Sequence, residues 1–132
     1  MLDDDILTLI EAMENATGVR VYFGDVDIPA QKRPCIELTS EQDGDTVFNN
    51  TIAPTVNLPL SVKIVADRKQ SSVLDAYRIF GTCMTELNKI NPSAGWKIGN
   101  IAENGTSSVT FNQTYDESTF TITFPFNIVE LL

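Results

Sequence analysis

Thr119-Phe120-Thr121-Ile122-Thr123-Phe124-Pro125-Phe126 is the stretch on which the fold turns. Large apolar residues stand at every second position, with Thr or Pro between them. A strand sends successive side chains to opposite faces, so this period of two predicts a β-strand with one apolar and one polar face. Three phenylalanines and an isoleucine on one face need a covering layer from elsewhere in the chain.

Residues 72–90 offer the broadest cover. Val73, Ala76, Tyr77, Phe80, Met84 and Leu87 recur on a 3.6-residue period, and Ile79, Cys83 and Ile90 widen the stripe. So wide a stripe predicts a helix covered on most sides. Ser72 and Asp75 have the spacing of a capping box. Asn91-Pro92 ends the helix, because the residue before a proline is pushed out of the α region. The apolar strand of residues 119–126 is expected to lie on the 73–87 face of this helix.

A first helix is predicted over residues 3–16, where Ile6, Leu9, Ile10 and Met13 form one stripe. Asp3 is placed to cap it, Asp4 and Asp5 suit the positive end of its dipole, and Leu2 is placed to staple onto Leu7. Gly18 stops it. Strands follow at residues 19–23, 34–39 and 58–66. Pro59 predicts an edge position or a strand start, since it donates nothing to a ladder. Residues 41–45 form an acidic turn around Gly44, and 47–52 are open between a weak strand and an ordered loop. After the long helix, residues 96–101, 108–114 and 119–126 read as a three-stranded meander with Asn104-Gly105 at its first turn. The expected architecture is a single α+β domain over 1–132. A mostly antiparallel sheet carries two main helices packed on it, in α-β-β-β-α-β-β-β order.

The 132 residues suffice for one domain with its own core. A net charge of −9 repels a phosphate backbone and argues against direct sequence-specific nucleic-acid binding. Lys32-Arg33 and Arg68-Lys69 are the only adjacent cation pairs, and neither is interleaved with aromatics. The opening Met1-Leu2-Asp3-Asp4-Asp5 is acidic where a secretory leader is basic. No apolar run approaches the roughly 18 residues of a membrane helix. A soluble protein of the host cytoplasm is expected, with no membrane partner. The Asn-x-Thr triplets at Asn15, Asn49, Asn104 and Asn112 carry no meaning without secretion.

There is no histidine, which removes the commonest general base, nucleophile partner and metal ligand. Phosphate-loop, dinucleotide and nucleophile-elbow motifs are absent. Cys35 and Cys83 sit in apolar stretches and read as inert buried thiols, with their pairing left open. Three acidic clusters remain: Asp3-Asp4-Asp5, Asp25-Val26-Asp27 and Asp43-Gly44-Asp45. The last resembles the start of a calcium loop but lacks the later oxygen ligands and closing Glu. Trp96 and the phenylalanines read as core rather than a base-stacking platform, given so few cations near them. No catalytic, cofactor-binding or metal residue is assigned, no cofactor is expected, and the chain is read as a non-enzyme.

One segment is too apolar for an idle loop. Across residues 45–55, Val47, Phe48, Asn49, Asn50 and Ile52 form the candidate interface, either as an arm reaching a partner or as a strand covering its own sheet.

The layout resembles the tail terminator (tail completion) proteins of long-tailed bacteriophages. The resemblance lies in the acidic opening helix 3–16, the Pro-led strand 34–39, and the strand 58–66 running into helix 72–90. The Asn-Gly hairpin and terminal strand 119–126 complete it, so it covers nearly the whole chain as element order rather than as a motif. It implies a homo-oligomeric ring, typically a hexamer, that caps the tail tube, contacts the tail tube protein and head–tail connector proteins, and ends in the virion. Another neck or head-completion adaptor, or an acidic monomeric inhibitor or immunity-type protein, shares the size and charge.

Overall fold

The computed structural model describes residues 2–24, 32–40, 47–49, 55–89, 96–98, 100–101, 107–108 and 111–131. In chain order the elements are α1 (Leu2–Thr17), β1 (Val21–Phe23), β2 (Cys35–Ser40), β3 (Val47–Asn49) and β4 (Thr55–Asp67). These are followed by α2 (Gln70–Lys89), β5 (Trp96–Ile98), β6 (Asn100–Ile101), β7 (Ser107–Ser108), β8 (Asn112–Tyr115) and β9 (Thr119–Leu131). The class is α+β.

A long antiparallel ribbon organises everything else. β4 and β9 are each 13 residues long and pair along their whole length, from Thr55 opposite Leu131 to Asp67 opposite Thr119. Each outer edge of this ribbon is lined by two strands laid end to end. β2 pairs with residues 60–65 of β4, and β3 with residues 55–57. Along β9, β8 pairs with residues 120–123 and β5 with residues 126–128. β1 adds to β2 in parallel, so the seven-stranded sheet is mixed rather than purely antiparallel. β6 and β7 pair separately, around the segment holding Asn104-Gly105, which lies outside the described residues.

The meander expectation holds for β8 beside β9 and for Asn100–Ile101 beside Ser107–Ser108, and is corrected for the rest. The strand at Trp96 does not run beside the one at Asn112; both lie along β9, one after the other, because β9 is long enough to offer two stretches of edge.

Pro59 is corrected too, since it sits inside β4, a central strand, opposite Asn127. The Ile36 N–H donates to the Arg20 carbonyl at 3.0 Å, which turns the backbone of Cys35, Glu37 and Thr39 toward β4. By alternation the nitrogens of Ser61 and Pro59 point toward that same outer edge. Residues 58–59 face the break between β2 and β3, so the missing donor forfeits no ladder bond. Pro125 repeats the device on the other side. It lies opposite Ser61, its nitrogen points away from β4, and residues 124–125 face the break between β8 and β5.

The core lies between the sheet and the helices. Leu60 stands opposite Phe126, Val62 opposite Phe124, Ile64 opposite Ile122 and Ala66 opposite Phe120, and all eight are at most 1% exposed. Ile36 and Leu38 extend this face along β2. From the helices come Leu9 and Met13 of α1 and Ala76, Ile79 and Cys83 of α2, with Ile6, Ile10, Val73, Phe80 and Met84 at the margin. The stripe of residues 120–126 does pack on α2: Phe80 meets Phe124 edge-on at 5.5 Å, and Tyr77 meets Phe120 at 5.5 Å.

Three details of the helices differ from expectation. Buried positions on α2 centre on Ala76, Ile79 and Cys83, while Leu74 and Tyr77 are exposed, so the helix is covered on one side rather than on most. Its first turn begins at Gln70, where the Lys69 carbonyl accepts from the Val73 N–H at 2.8 Å; Ser72 is thus inside the helix rather than its cap. The ladder of β4 delivers the chain to Asp67, and the turn there starts the helix before a serine is reached. On α1, Asp3 lies in the first turn and Leu7 is exposed. Gly18 ends α1 as expected, with φ at 74° and its N–H donating to the Glu14 carbonyl.

Candidate functional site

Of the candidate interface residues, Val47, Phe48 and Asn49 fall at one end of the sheet. Val47–Asn49 is β3, with Val47 opposite Asn57, Phe48 opposite Val56 and Asn49 opposite Thr55. Asn50 and Ile52 lie outside the described residues, as do the acidic turn at 41–45 and Asp25-Val26-Asp27. The weak-strand reading of this segment holds for residues 47–49. With β4 it closes a hairpin at the end of the ribbon, past the last residue of β2.

The two thiols are brought nowhere near each other. Cys83 belongs to the core between α2 and the sheet. Cys35 alternates with the core residues Ile36 and Leu38, so it occupies the opposite face of the sheet, in a row with Val65 and Thr121. Both are free and buried. Burial pushes the Cys83 thiol up to about 12 and raises Cys35, the latter helped by the nearby Glu37 carboxylate. At neutral pH both are held as thiols, poor nucleophiles and poor metal ligands.

Cys83 gives a pH signature. Its folded pKa stands above the ordinary thiol value of 9.0, so the stability it contributes is complete below pH 9 and is lost as pH rises toward 12. Relative to Cys83→Ala, the wild type is expected to lose about 1.4 kcal/mol per pH unit in that window. Urea melts of both proteins at pH 8, 9.5 and 10.5 check this; a constant difference counts against it.

Charged side chains gather where β4 enters α2. Arg33, Asp67, Arg68, Lys69, Glu117 and Ser118 line an open pocket of about 510 Å³. Arg33 pairs with Asp67 at 3.4 Å, and Arg68 donates to the Asp116 carbonyl at 3.0 Å while stacking 5.2 Å over the Tyr115 ring. Three cations and two carboxylates share this mouth. Among the described residues no group of three or more Cys, Asp or Glu is placed to hold a metal ion. No described helix is long and apolar enough to cross a membrane.

Exposed aromatics are the feature that the sequence reading did not single out. Tyr115 is 54% exposed, Phe23 42%, Tyr77 40% and Phe111 37%. Three of them form one cluster where β8 meets α2. Phe111 stacks on Phe80 at 4.7 Å, Tyr115 on Phe120 at 4.8 Å, and the Tyr77 hydroxyl donates to Gln113 Oε1. The alternation Phe111, Gln113, Tyr115 was a usable signal for a shared face, but nothing in it says that the face lies at the rim.

No protein-family model matches the chain, and no curated protein matches it.

Proposed function

We propose that the chain is a structural virion protein that forms a ring, of six subunits, on the end of a phage tail tube and joins it to the head. The observation that supports this most is the hairpin of β3 and β4. β4 and β9 continue beyond β2, and β3 edges that extension, so the chain carries a three-stranded projection at one end of its sheet. A projection holding Val47, Phe48 and Asn49, with Asn50 and Ile52 next in the sequence, is suited to contact a neighbouring subunit or the tube protein. The −9 charge also suits a ring through which DNA passes without adhering. Assembly takes place in the host cytoplasm, and the tail tube protein and head–tail connector proteins are the partners.

Mass in solution over a range of concentrations, followed by negative-stain images, tests the reading. Rings that bind purified tail tubes are expected. A strict monomer overturns it in favour of an inhibitor or immunity-type protein, and a ring that binds only a portal-type ring points to another neck adaptor. A protein of this kind needs no small ligand. Its melting temperature is expected to stay within about a degree on adding calcium, magnesium or ATP, because a ligand that binds only the native state must raise it. A rise of several degrees argues for an enzyme or a metal-dependent binder.

A further inference from the structure

Among the described residues the sheet is open on both sides. β1 is the last strand at one edge, and β8 lies on the outer edge of β9 at the other; among the described residues neither pairs with a further strand. We infer that the subunits of the ring join by continuing this sheet, with β1 of one copy adding to β8 of the next. The inference rests on the ring reading above and names the contact that builds it.

Direction is the first argument. β1 runs parallel to β2, and β2, β4, β9 and β8 then alternate. β1 and β8 therefore run in opposite senses within one molecule. A second copy set alongside in the same orientation brings its β1 antiparallel to β8 of the first, the better hydrogen-bonded arrangement. Two different edges meet, so the contact is head to tail, the kind that closes into a ring.

The unpaired backbone groups correspond. Gly24 N–H donates to the Leu38 carbonyl and the Arg20 carbonyl accepts from Ile36 N–H, which leaves the groups of Val21 and Phe23 facing outward. The Val21 N–H is taken by Glu14 Oε2 at 3.2 Å, so Phe23 carries the free pair. On β8 the same alternation aims Asn112 and Thr114 at β9 and leaves Gln113 and Tyr115 facing out. Phe23 opposite Gln113 exchanges both bonds.

Side chains fit that register. Phe23 lies beside Leu38, and Gln113 and Tyr115 lie beside Ile122 and Phe120, so all of them stand on the helix-covered face. Phe23 is 42% exposed although its neighbours in that row are buried. Continued across the edge, the sheet sets it between Phe111 and Tyr115, the aromatic cross-strand arrangement that stabilises paired strands. The two edges also differ in charge: α1, which packs on the β1 side, carries Asp3, Asp4, Asp5, Glu11 and Glu14 with no cation, whereas the end of β8 holds Arg68 over the Tyr115 ring, beside Asp116 and Glu117.

Two variants block one edge each. Gln113→Pro removes the outward N–H, at a position where β9 receives no bond from it, and Phe23→Lys puts a charge in the aromatic row. Each is expected to be monomeric at concentrations at least tenfold above those where the wild type assembles, with an unchanged circular dichroism spectrum. Mixed together, they each retain one good edge and should form a dimer of one copy of each that grows no further. Hydrogen exchange of the unaltered protein supplies a reading free of substitution: the Phe23, Gln113 and Tyr115 amides should become protected as assembly proceeds. Wild type that assembles while those amides stay unprotected and both variants still form rings overturns this contact and leaves the ring reading standing. Wild type that never assembles overturns both.

Discussion

Phe124→Ala should cost about 3–5 kcal/mol of folding stability, as removal of a wholly buried aromatic ring does. Phe124 is 1% exposed, lies opposite Val62 in the central ribbon, and meets the edge of Phe80 from α2. Its ring touches both layers, so truncation leaves a cavity that neither strand nor helix can close alone. A domain of this size has about 5–15 kcal/mol in total, so the loss is a large part of it. The urea midpoint should fall by more than about 1 M. Thr123→Ala, one residue away on the outer face, should change stability by no more than about 0.5 kcal/mol. An unmoved midpoint for Phe124→Ala contradicts the packing described here, because a ring buried between sheet and helix cannot be removed without loss.

Replacing residues 47–52 with a short Gly-Ser link should leave the fold and abolish assembly on the tail tube. The six pairs between β2 and β4 lie outside the replaced segment, so the register of the central sheet survives. What is lost is β3 and the three residues that follow it in the sequence. An arm burying a few hundred Å² on a partner contributes several kcal/mol at about 25 cal/mol per Å², before the cost of association. Affinity for tubes should therefore drop at least about 100-fold, which corresponds to about 2.7 kcal/mol. Circular dichroism and particle size, measured together, decide it. A native spectrum with undiminished assembly refutes the arm. An unfolded variant returns the segment to a structural role, as a strand covering its own sheet. The edge contact between β1 and β8 is independent, since it uses neither β3 nor its turn.

Much of the local structure was legible in the residues. The Thr-Phe alternation of 119–126 is a strand with its apolar side inward because period two leaves no other way to gather those rings. The Ile6-Leu9-Ile10-Met13 stripe and Gly18 place α1 to within a residue at each end. Pro59 misled because the rule for proline concerns a nitrogen's neighbour, and that neighbour is set by two strands distant in sequence. Helical period alone puts Tyr77 in the core, yet it is 40% exposed.

The interface residues share this limit. Val47 to Ile52 stood out by composition, while Phe23, Phe111 and Tyr115 did not, being ordinary members of apolar strands. Their exposure exists only because β1 and β8 are the last strands on their sides. Periodicity, caps and turn residues act over three or four positions, so the chain alone determined its helices, most of its strands and which face of each is apolar. Which strand lies beside which, that β1 joins in parallel, that β5 and β8 share one edge of β9, and that two aromatic edges are left open among the described residues were decided by tertiary pairing. Those choices depend on burying the whole apolar set at once, a sum over distant residues that no local pattern contains.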